Sequence, residues 1–336
     1  MTGDPRPDVE TVRAVLDRAA RAPSLHNSQP WRWRWDGTAA ALYVDADRLL
    51  PATDMFNREG MLGCGVMLNH ADVAWNAAGW EPRVTTFPEP TVRSHVASLE
   101  PVRPHVSSEP ELLLAQAIER RYTDRTPMAP PTDRLVTQEI LEFLGHRSGT
   151  TIIFLAPPAA HALRGISATT AGLRRYDPLY QAELSWWAAA PDAGRAGVPA
   201  ATLPAATDRS RVPVGREFPS GTVEPAGDGD DEAMVAVLST PGDSAEDLLD
   251  CGRALSAVLL ECTVRGLSTC TITHVVELPS ARAAVADLVG LPYPQVLVRI
   301  GTARTDPPPR TPRRPLDDFL DIGTADNPNG GNNENR

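Results

Sequence analysis

The sequence contains no lysine, so all 32 of its basic residues are arginines. This absence excludes cofactors that need a Schiff-base lysine, lysine-dependent phosphate loops and lysine general bases. Any anion bound by this chain must be held by guanidinium groups, backbone N–H groups or hydroxyls. The 43 acidic residues give a formal net charge of −11, which argues against a nucleic-acid or anionic-membrane surface.

Cysteine is scarce, and long apolar runs are absent from the sequence. The four cysteines are scattered and include no CxxC pair: Cys64, Cys251, Cys262 and Cys270. They predict free thiols in a cytoplasmic protein and no metal site. No run approaches the ~18–20 apolar residues of a membrane span. The first ten residues, MTGDPRPDVE, lack the basic and apolar segments of a signal peptide.

Hydrophobic periodicity predicts a chain of mixed helices and strands. Apolar spacing indicates a helix over 8–21 with Asp8 as its cap. The alternating segment WRWRW at 31–35 predicts a strand with its three tryptophans on one face, paired with 39–44 across the turn at Asp36-Gly37. Further helices are expected at 61–79, 111–121, 132–144, 163–190 (broken at Asp177-Pro178) and 248–266, and further strands at 91–99, 151–155, 234–239 and 295–300.

Two apolar helices share a pattern that suggests an internal repeat. Cys64-Gly65 and Cys251-Gly252 are 187 residues apart, and in each copy a second glycine, Gly79 or Gly266, follows the first after 14 residues. Glycine and alanine are common in this chain, so a chance match is the alternative. The shared Cys-Gly pair and the equal length favour duplication.

The loop between the first helix and the first strand, APSLHNSQPW at 22–31, concentrates polar and turn-forming residues. Loops of this kind on a rigid scaffold commonly carry binding groups. Asn27 and Gln29 offer both donors and acceptors, as a flat heterocycle with a polar edge requires. An ordinary helix-to-strand connection is the alternative.

Two arginine-rich segments predict an anion site. Arg121, Thr123 and Arg125 alternate, so in an extended turn two guanidiniums and a hydroxyl project together. The alternative is a solvated helix C-terminus, where arginine is favoured by the helix dipole. Near the end of the chain, Arg313 and Arg314 follow a predicted strand, and a basic linker is the alternative there.

These segments resemble a known family. The loop is similar to the PSxxNxQPW segment of nitroreductases, flavoenzymes that hold FMN at a dimer interface, and RRYTDR at 120–125 is similar to their RRSxR segment. The closing arginine pair resembles the end of the family's phosphate clamp. The match covers residues 8–320 and looks closest to the actinobacterial Acg-like branch.

The resemblance implies an α+β nitroreductase fold in which two nitroreductase-like halves are fused in one chain as a pseudo-dimer. The expected first half is 8–108. The expected second half is 109–322, with a Pro- and Gly-rich lid or disordered insert at about 191–232, and a disordered tail follows at 323–336. The fusion explains the repeat and predicts a monomer, whose further oligomerisation stays open.

The resemblance also implies the site. Arg121 and Thr123 would contact the FMN phosphate or ribityl chain, and Arg125 would lie near the N1–C2=O edge of the ring. The expected cofactor-binding residues are Pro23, Ser24, His26, Asn27, Gln29, Arg121, Thr123, Arg125, Arg313 and Arg314. Each half retains only one of the two family segments, so one FMN per chain is expected.

The implied function is an FMN-dependent oxidoreductase that takes hydride from NAD(P)H and passes it to a nitroaromatic, a quinone or a similar acceptor. No side-chain acid or base is strictly required for such chemistry, because the flavin carries it. The alternative is an FMN-sequestering protein whose lid blocks NAD(P)H. A third possibility is a structural or regulatory descendant without flavin.

Overall fold

Two β-sheets flank a central pair of long helices in the computed structural model, which describes residues 5–189, 195–219 and 221–323. The helices are α1 Val9–Ala19, α2 Arg58–Ala77, α3 Glu109–Arg120, α4 Arg134–Arg147, α5 Pro157–Arg175, α6 Pro178–Ala189, α7 Ala206–Arg211, α8 Ala245–Val264, α9 His274–Glu277 and α10 Pro279–Val289. The strands are β1 Trp31–Trp35, β2 Ala40–Val44, β3 Trp80–Thr86, β4 His95–Pro104, β5 Thr151–Phe154, β6 Met234–Ser239, β7 Ser268–Ile272, β8 Pro294–Gly301 and β9 Leu320–Ile322. The mixed α+β class is therefore confirmed.

The first sheet has the strand order β3-β4-β2-β1-β9, and the second has β5-β6-β8-β7. Helix α2 packs against the first sheet and α8 against the second. Strand β9 pairs in parallel with β1, with Trp33 opposite Leu320. The end of the chain therefore completes the sheet of the predicted first half, although it belongs to the predicted second half by sequence.

The local predictions for the first helix and the first hairpin are confirmed. The Asp8 carboxylate accepts a hydrogen bond from the Thr11 N–H at 2.7 Å, as an N-cap does. In β1 the three tryptophans are buried and the two arginines are exposed. Strand β2 pairs antiparallel to β1 with Trp35 opposite Ala40. One buried face and one solvated face account for this alternation.

Other boundaries differ from the predictions. The strand expected at 91–99 runs from His95 to Pro104. Three strands, β3, β7 and β9, and three helices, α7, α9 and α10, were not predicted. The break expected near Asp177 is present, since α5 ends at Arg175 and α6 begins at Pro178. Proline is tolerated in the first turn of a helix but not in its interior.

The described parts of the expected insert, 195–219 and 221–232, contain α7 and line a cavity that residues of α2 and α8 also line. The expected tail lies outside the described residues, apart from Gly323. The division into halves at 8–108 and 109–322 stays a prediction.

Helices α2 and α8 cross at the two glycines that the sequence pattern singled out. A Cβ atom on Gly65 would overlap the carbonyl oxygen of Leu249, and one on Gly252 would overlap that of Leu62. These two contacts map onto each other with the same 187-residue offset, since residues 62 and 65 correspond to 249 and 252. Such a reciprocal contact is the signature of a two-fold interface, here within one chain.

We expect Gly65→Ala and Gly252→Ala each to lower the free energy of unfolding by about 1–3 kcal/mol, the usual cost of overpacking. The reason is that each new methyl group would meet rigid backbone of the opposing helix. Gly172→Ala in α5 is the matched control. Its Cβ would meet open space, and the change should stabilise the helix by about 0.5–1 kcal/mol. Urea denaturation measures all three, and a tolerated Gly65→Ala would contradict the tight crossing.

Candidate functional site

Two adjoining cavities bring most of the predicted site residues together. The larger cavity has a volume of about 840 Å³, and a second has about 540 Å³. Both are lined by Pro23, Ser24, Thr123 and Arg125. The loop after α1 and the segment after α3 therefore meet at one place. We call the second space the arginine cavity, because its wall includes Arg21, Arg120, Arg121, Arg125, Arg310 and Arg313.

The loop between α1 and β1 has a strained backbone. His26, Asn27 and Gln29 have φ angles of 50°, 56° and 55°, in the left-handed region that side chains other than glycine seldom occupy. The Ser24 hydroxyl accepts a hydrogen bond from the Gln29 N–H at 2.8 Å. The Asn27 amide donates to the Gly197 carbonyl at 3.1 Å. Strain held by such contacts is typical of functional loops.

Gln29 and Arg314 hold this loop and do not line either cavity. The Gln29 amide donates to the Arg195 carbonyl at 2.9 Å, and its oxygen accepts from the Arg314 N–H at 2.9 Å. The Arg314 guanidinium donates to the Asp318 carbonyl at 2.7 Å and lies 3.3 Å from the Asp45 carboxylate. The structure therefore places these two predicted site residues behind the loop, where their polar groups are already used.

His26 lines the larger cavity and is only 4% exposed. Neither of its ring nitrogens has a hydrogen-bond partner among the described residues. Its ring meets that of Phe218 edge to face at 5.6 Å. Burial lowers its pKa well below the usual value, and Arg216 and Arg125 lower it further. A neutral imidazole with one unused donor and one unused acceptor is suited to a polar ligand.

The Arg121 guanidinium, on the wall of the arginine cavity, has no partner among the described residues, and the exposed Arg120 beside it also has none. Its Nε atom is buried without a hydrogen bond. Burial, together with the nearby Arg21 and Arg125, lowers its pKa to about 10. Glu119 on the same wall pairs with Arg310 and not with Arg121. A buried cation without a partner is costly unless an anion binds to it.

Arg313 also lines the arginine cavity, but its guanidinium is already bonded. It donates to the carbonyls of Ala20 and Arg21 at 2.9 Å each and of Ala22 at 3.3 Å. These carbonyls follow the last turn of α1, where helix acceptors lack partners. Arg313 therefore caps α1 and fixes the start of the loop.

Thr123 and Arg125 are positioned by strand β7. Thr123 forms a parallel bridge with Thr269, and the next N–H, of Asp124, donates to the Thr269 carbonyl at 2.9 Å. Arg125 lies 5.4 Å from the centre of the Phe218 ring. Burial lowers the pKa of Arg125. The segment thus carries one polar group and one cation to the boundary between the cavities.

Two further titratable residues line the larger cavity, and one of them, Glu59, was missed by the sequence analysis. Glu59, in the first turn of α2, is only 4% exposed, and burial raises its pKa well above the usual value. His274 shares a hydrogen bond of 2.8 Å with Ser167, and burial lowers its pKa to about 3. No motif marks Glu59, because its burial depends on packing between distant elements.

The expected insert forms part of the wall of the larger cavity. Arg216, from this segment, makes a buried ion pair with Glu277 and donates to the Tyr180 hydroxyl at 2.6 Å. Phe218 then lies between His26 and Arg125. The segment is therefore anchored at Arg216 and inserts an aromatic ring beside the predicted binding loop.

Comparison with known proteins places this architecture in a family, although no protein-family model matches the sequence. A protein of Mycobacterium tuberculosis strain H37Rv named "Putative NAD(P)H nitroreductase acg" is 42% identical over 322 residues, which cover 94% of this chain and 97% of that protein. The chain belongs to the Acg nitroreductase family. A second protein of the same strain, "Putative NAD(P)H nitroreductase Rv3131", is 37% identical over 331 residues, covering 94% of this chain and 92% of that protein.

Among solved structures, the FMN- and NADPH-dependent nitroreductase NfnB from Sphigopyxis sp. strain HMH is 16% identical to this Acg family member. The match covers 63% of this chain and 99% of that chain, with a TM-score of 0.39. Within the described ranges, no helix is long and apolar enough to cross a bilayer. The same ranges hold no cluster of three side chains suited to a metal ion.

We expect opposite effects on stability from two arginine variants in phosphate-free buffer. Arg313→Leu should lower the free energy of unfolding by about 1–3 kcal/mol, because it leaves the carbonyls after α1 without a donor. Arg121→Leu should raise it, because it removes a cation crowded by other cations. Urea denaturation of both variants is the measurement. An equal loss in both would show that Arg121 stabilises the fold and would contradict its assignment as a binding residue.

Proposed function

We propose that this chain is an FMN-dependent oxidoreductase that takes hydride from NAD(P)H. The observation that carries the proposal is the unpaired Arg121 guanidinium in a cavity that shares four lining residues with a larger one. A ligand with an anionic group at one end and a planar ring at the other fits this pair of spaces. The family relationship favours FMN as that ligand.

The arginine cavity suits the phosphate of FMN. Arg121 would hold the phosphate directly, and Arg21 and Arg310 contribute further positive charge. Arg310 forms an ion pair with Glu119 at 3.3 Å, and Arg21 donates a hydrogen bond to the Thr311 carbonyl at 3.2 Å. Charge-assisted bonds from guanidinium to phosphate are among the strongest that a protein forms. In a chain without lysine, this is the expected way to hold such a group.

The larger cavity suits the ring system. His26 offers an unused hydrogen-bond donor and acceptor. Arg125 places positive charge where the larger cavity meets the arginine cavity, and this charge favours the electron-rich edge of a bound ring. FMN bound here would supply hydride transfer between a nicotinamide and an acceptor. The acceptor we propose is a nitroaromatic, a quinone or a similar flat electron-poor molecule.

Arg121→Ala should weaken FMN binding by roughly 10- to 150-fold, since a hydrogen bond to a charged group contributes about 1.5–3 kcal/mol. Quenching of FMN fluorescence on titration with ligand-free protein measures the affinity. Arg253→Ala is the matched control, because Arg253 pairs with Asp250 on α8 and lines neither cavity. Equal affinity of the Arg121 variant and the control would overturn the phosphate assignment.

A second candidate function is FMN sequestration with little or no turnover. It is favoured by Phe218, which already lies beside His26 and Arg125 within the larger cavity. An aromatic side chain anchored there through the neighbouring Arg216 competes with a nicotinamide ring for the same space. In that case the insert acts as a lid that retains FMN and excludes NAD(P)H.

Phe218→Ala distinguishes the two functions. If the lid excludes the nicotinamide, FMN-loaded Phe218→Ala should be reduced by NADPH at least 10-fold faster than the original protein in anaerobic stopped-flow measurements. Glu224→Ala, an exposed change in the same segment, should leave the rate unchanged. Prompt reduction of the original protein and no gain in the Phe218 variant would contradict sequestration.

A further inference from the structure

Glu59 lies on the wall of the larger cavity. It shares one face of α2 with Leu62, Gly63 and Val66, which line the same space. Gly63 is close to the predicted binding loop, because a Cβ there would lie 3.5 Å from the Cβ of Ser24. The carboxyl group is therefore placed at the start of the helix that supports this loop.

The Glu59 carboxyl group has no hydrogen-bond partner in the described part of the chain. Its Oε1 atom is buried and unpaired. The cation beside it is Arg58, whose Nη1 atom is 4.0 Å away. That guanidinium is engaged elsewhere, since Nη1 donates to the Val276 carbonyl at 3.2 Å and Nη2 contacts Gln295. Glu59 thus lacks the close partner that a buried carboxylate requires.

The charges that face Glu59 come from four elements. Burial is the largest influence and raises its pKa. Arg58 on the same helix and Arg216 from the insert act in the opposite direction, as does the N-terminal dipole of α2. Asp54, before α2, and Glu277, in α9, raise the pKa further. The net direction is strongly upward, so the carboxyl group keeps its proton well above the usual range of a glutamate.

Other titratable groups on this wall are less suited to this role. His26 and His274 have lowered pKa values, so at neutral pH each ring has already lost its acidic proton. Burial raises the pKa of the Cys270 thiol, so this group also keeps its proton but is a weaker acid than a carboxyl group. Glu217 is exposed and pairs with Arg175 at 3.2 Å. Glu59 is therefore the carboxyl group of this wall that combines a raised pKa with a side chain only 4% exposed.

We propose that Glu59 donates the proton that accompanies hydride transfer to the acceptor, an inference that rests on the proposed oxidoreductase function. Reduction of a quinone to a hydroquinone needs a hydride, supplied through NAD(P)H, and one proton. The O–H bond of Glu59 breaks, and a new O–H bond forms on the quinone oxygen. Glu59 is left as a carboxylate and takes a proton back from water before the next turnover.

The protonation state is tested without turnover. Infrared titration of the ligand-free protein should show the C=O band of a protonated carboxyl group at pH 7, and Glu59→Gln should reduce that band. Glu261→Gln is the matched control, because Glu261 pairs with Arg265 on α8 and lines neither cavity. It should keep the band. A spectrum of the original protein without this band at pH 7 would overturn the proposal.

The proton transfer is tested in one half-reaction. FMN-loaded protein is reduced with dithionite and mixed with p-benzoquinone. Glu59→Gln should slow reoxidation about 100-fold, the usual scale of general acid catalysis, while FMN affinity stays unchanged. Glu59→Asp keeps a carboxyl group and should retain part of the reoxidation rate. This variant also allows the test if Glu59→Gln does not fold.

The two proposals fail in different ways. Protein that binds no FMN contradicts the proposed function, whatever the infrared spectrum shows. Protein that binds FMN and is reoxidised at the same rate with Gln, Asp or Glu at position 59 contradicts the role of Glu59 alone.

Discussion

The crossing of α2 and α8 at Gly65 and Gly252 is the constraint on which the rest of the structure depends. Each glycine faces the backbone of the other helix. A Cβ atom added to Gly65 would lie only 2.9 Å from the Cα of Gly252, and one added to Gly252 would lie 2.8 Å from the Cα of Gly65. Such a close approach leaves little freedom in the spacing of the two helices, since protein interiors are tightly packed. Because α2 carries the first sheet and α8 the second, the crossing fixes the two sheets relative to each other.

The site follows from this crossing. Gly63 on α2 contacts the loop at Ser24, and β7, which pairs with Thr123, begins shortly after α8 ends. The loop and the arginine segment are distant in sequence, and each is tied to one helix of the pair. Around the space between them the chain tolerates costly features: residues with left-handed backbone angles, the unpaired Arg121 and a Glu59 carboxyl group without a hydrogen bond. Natural proteins commonly concentrate such local violations at functional sites.

The sequence predicts the elements whose side-chain pattern is local. The alternation of WRWRW reports one buried face, and the paired Cys-Gly helices point to the glycines at the crossing. Strand β3, WEPRVTT, was missed because its interior proline and charged residues are tolerated only at the edge of a sheet. The role of Arg313 and Arg314 in supporting the loop could not be predicted from the sequence, because their hydrogen-bond partners are distant in the chain. The burial of Glu59 likewise depends on packing between distant segments.

We expect the chain to form a single FMN site where its two predicted halves meet. Titration of ligand-free protein with FMN, at protein concentrations far above the dissociation constant, tests it most directly. The expected result is a sharp end point at one FMN per chain. An end point at two FMN per chain would contradict it, since the second site would need segments that this sequence lacks.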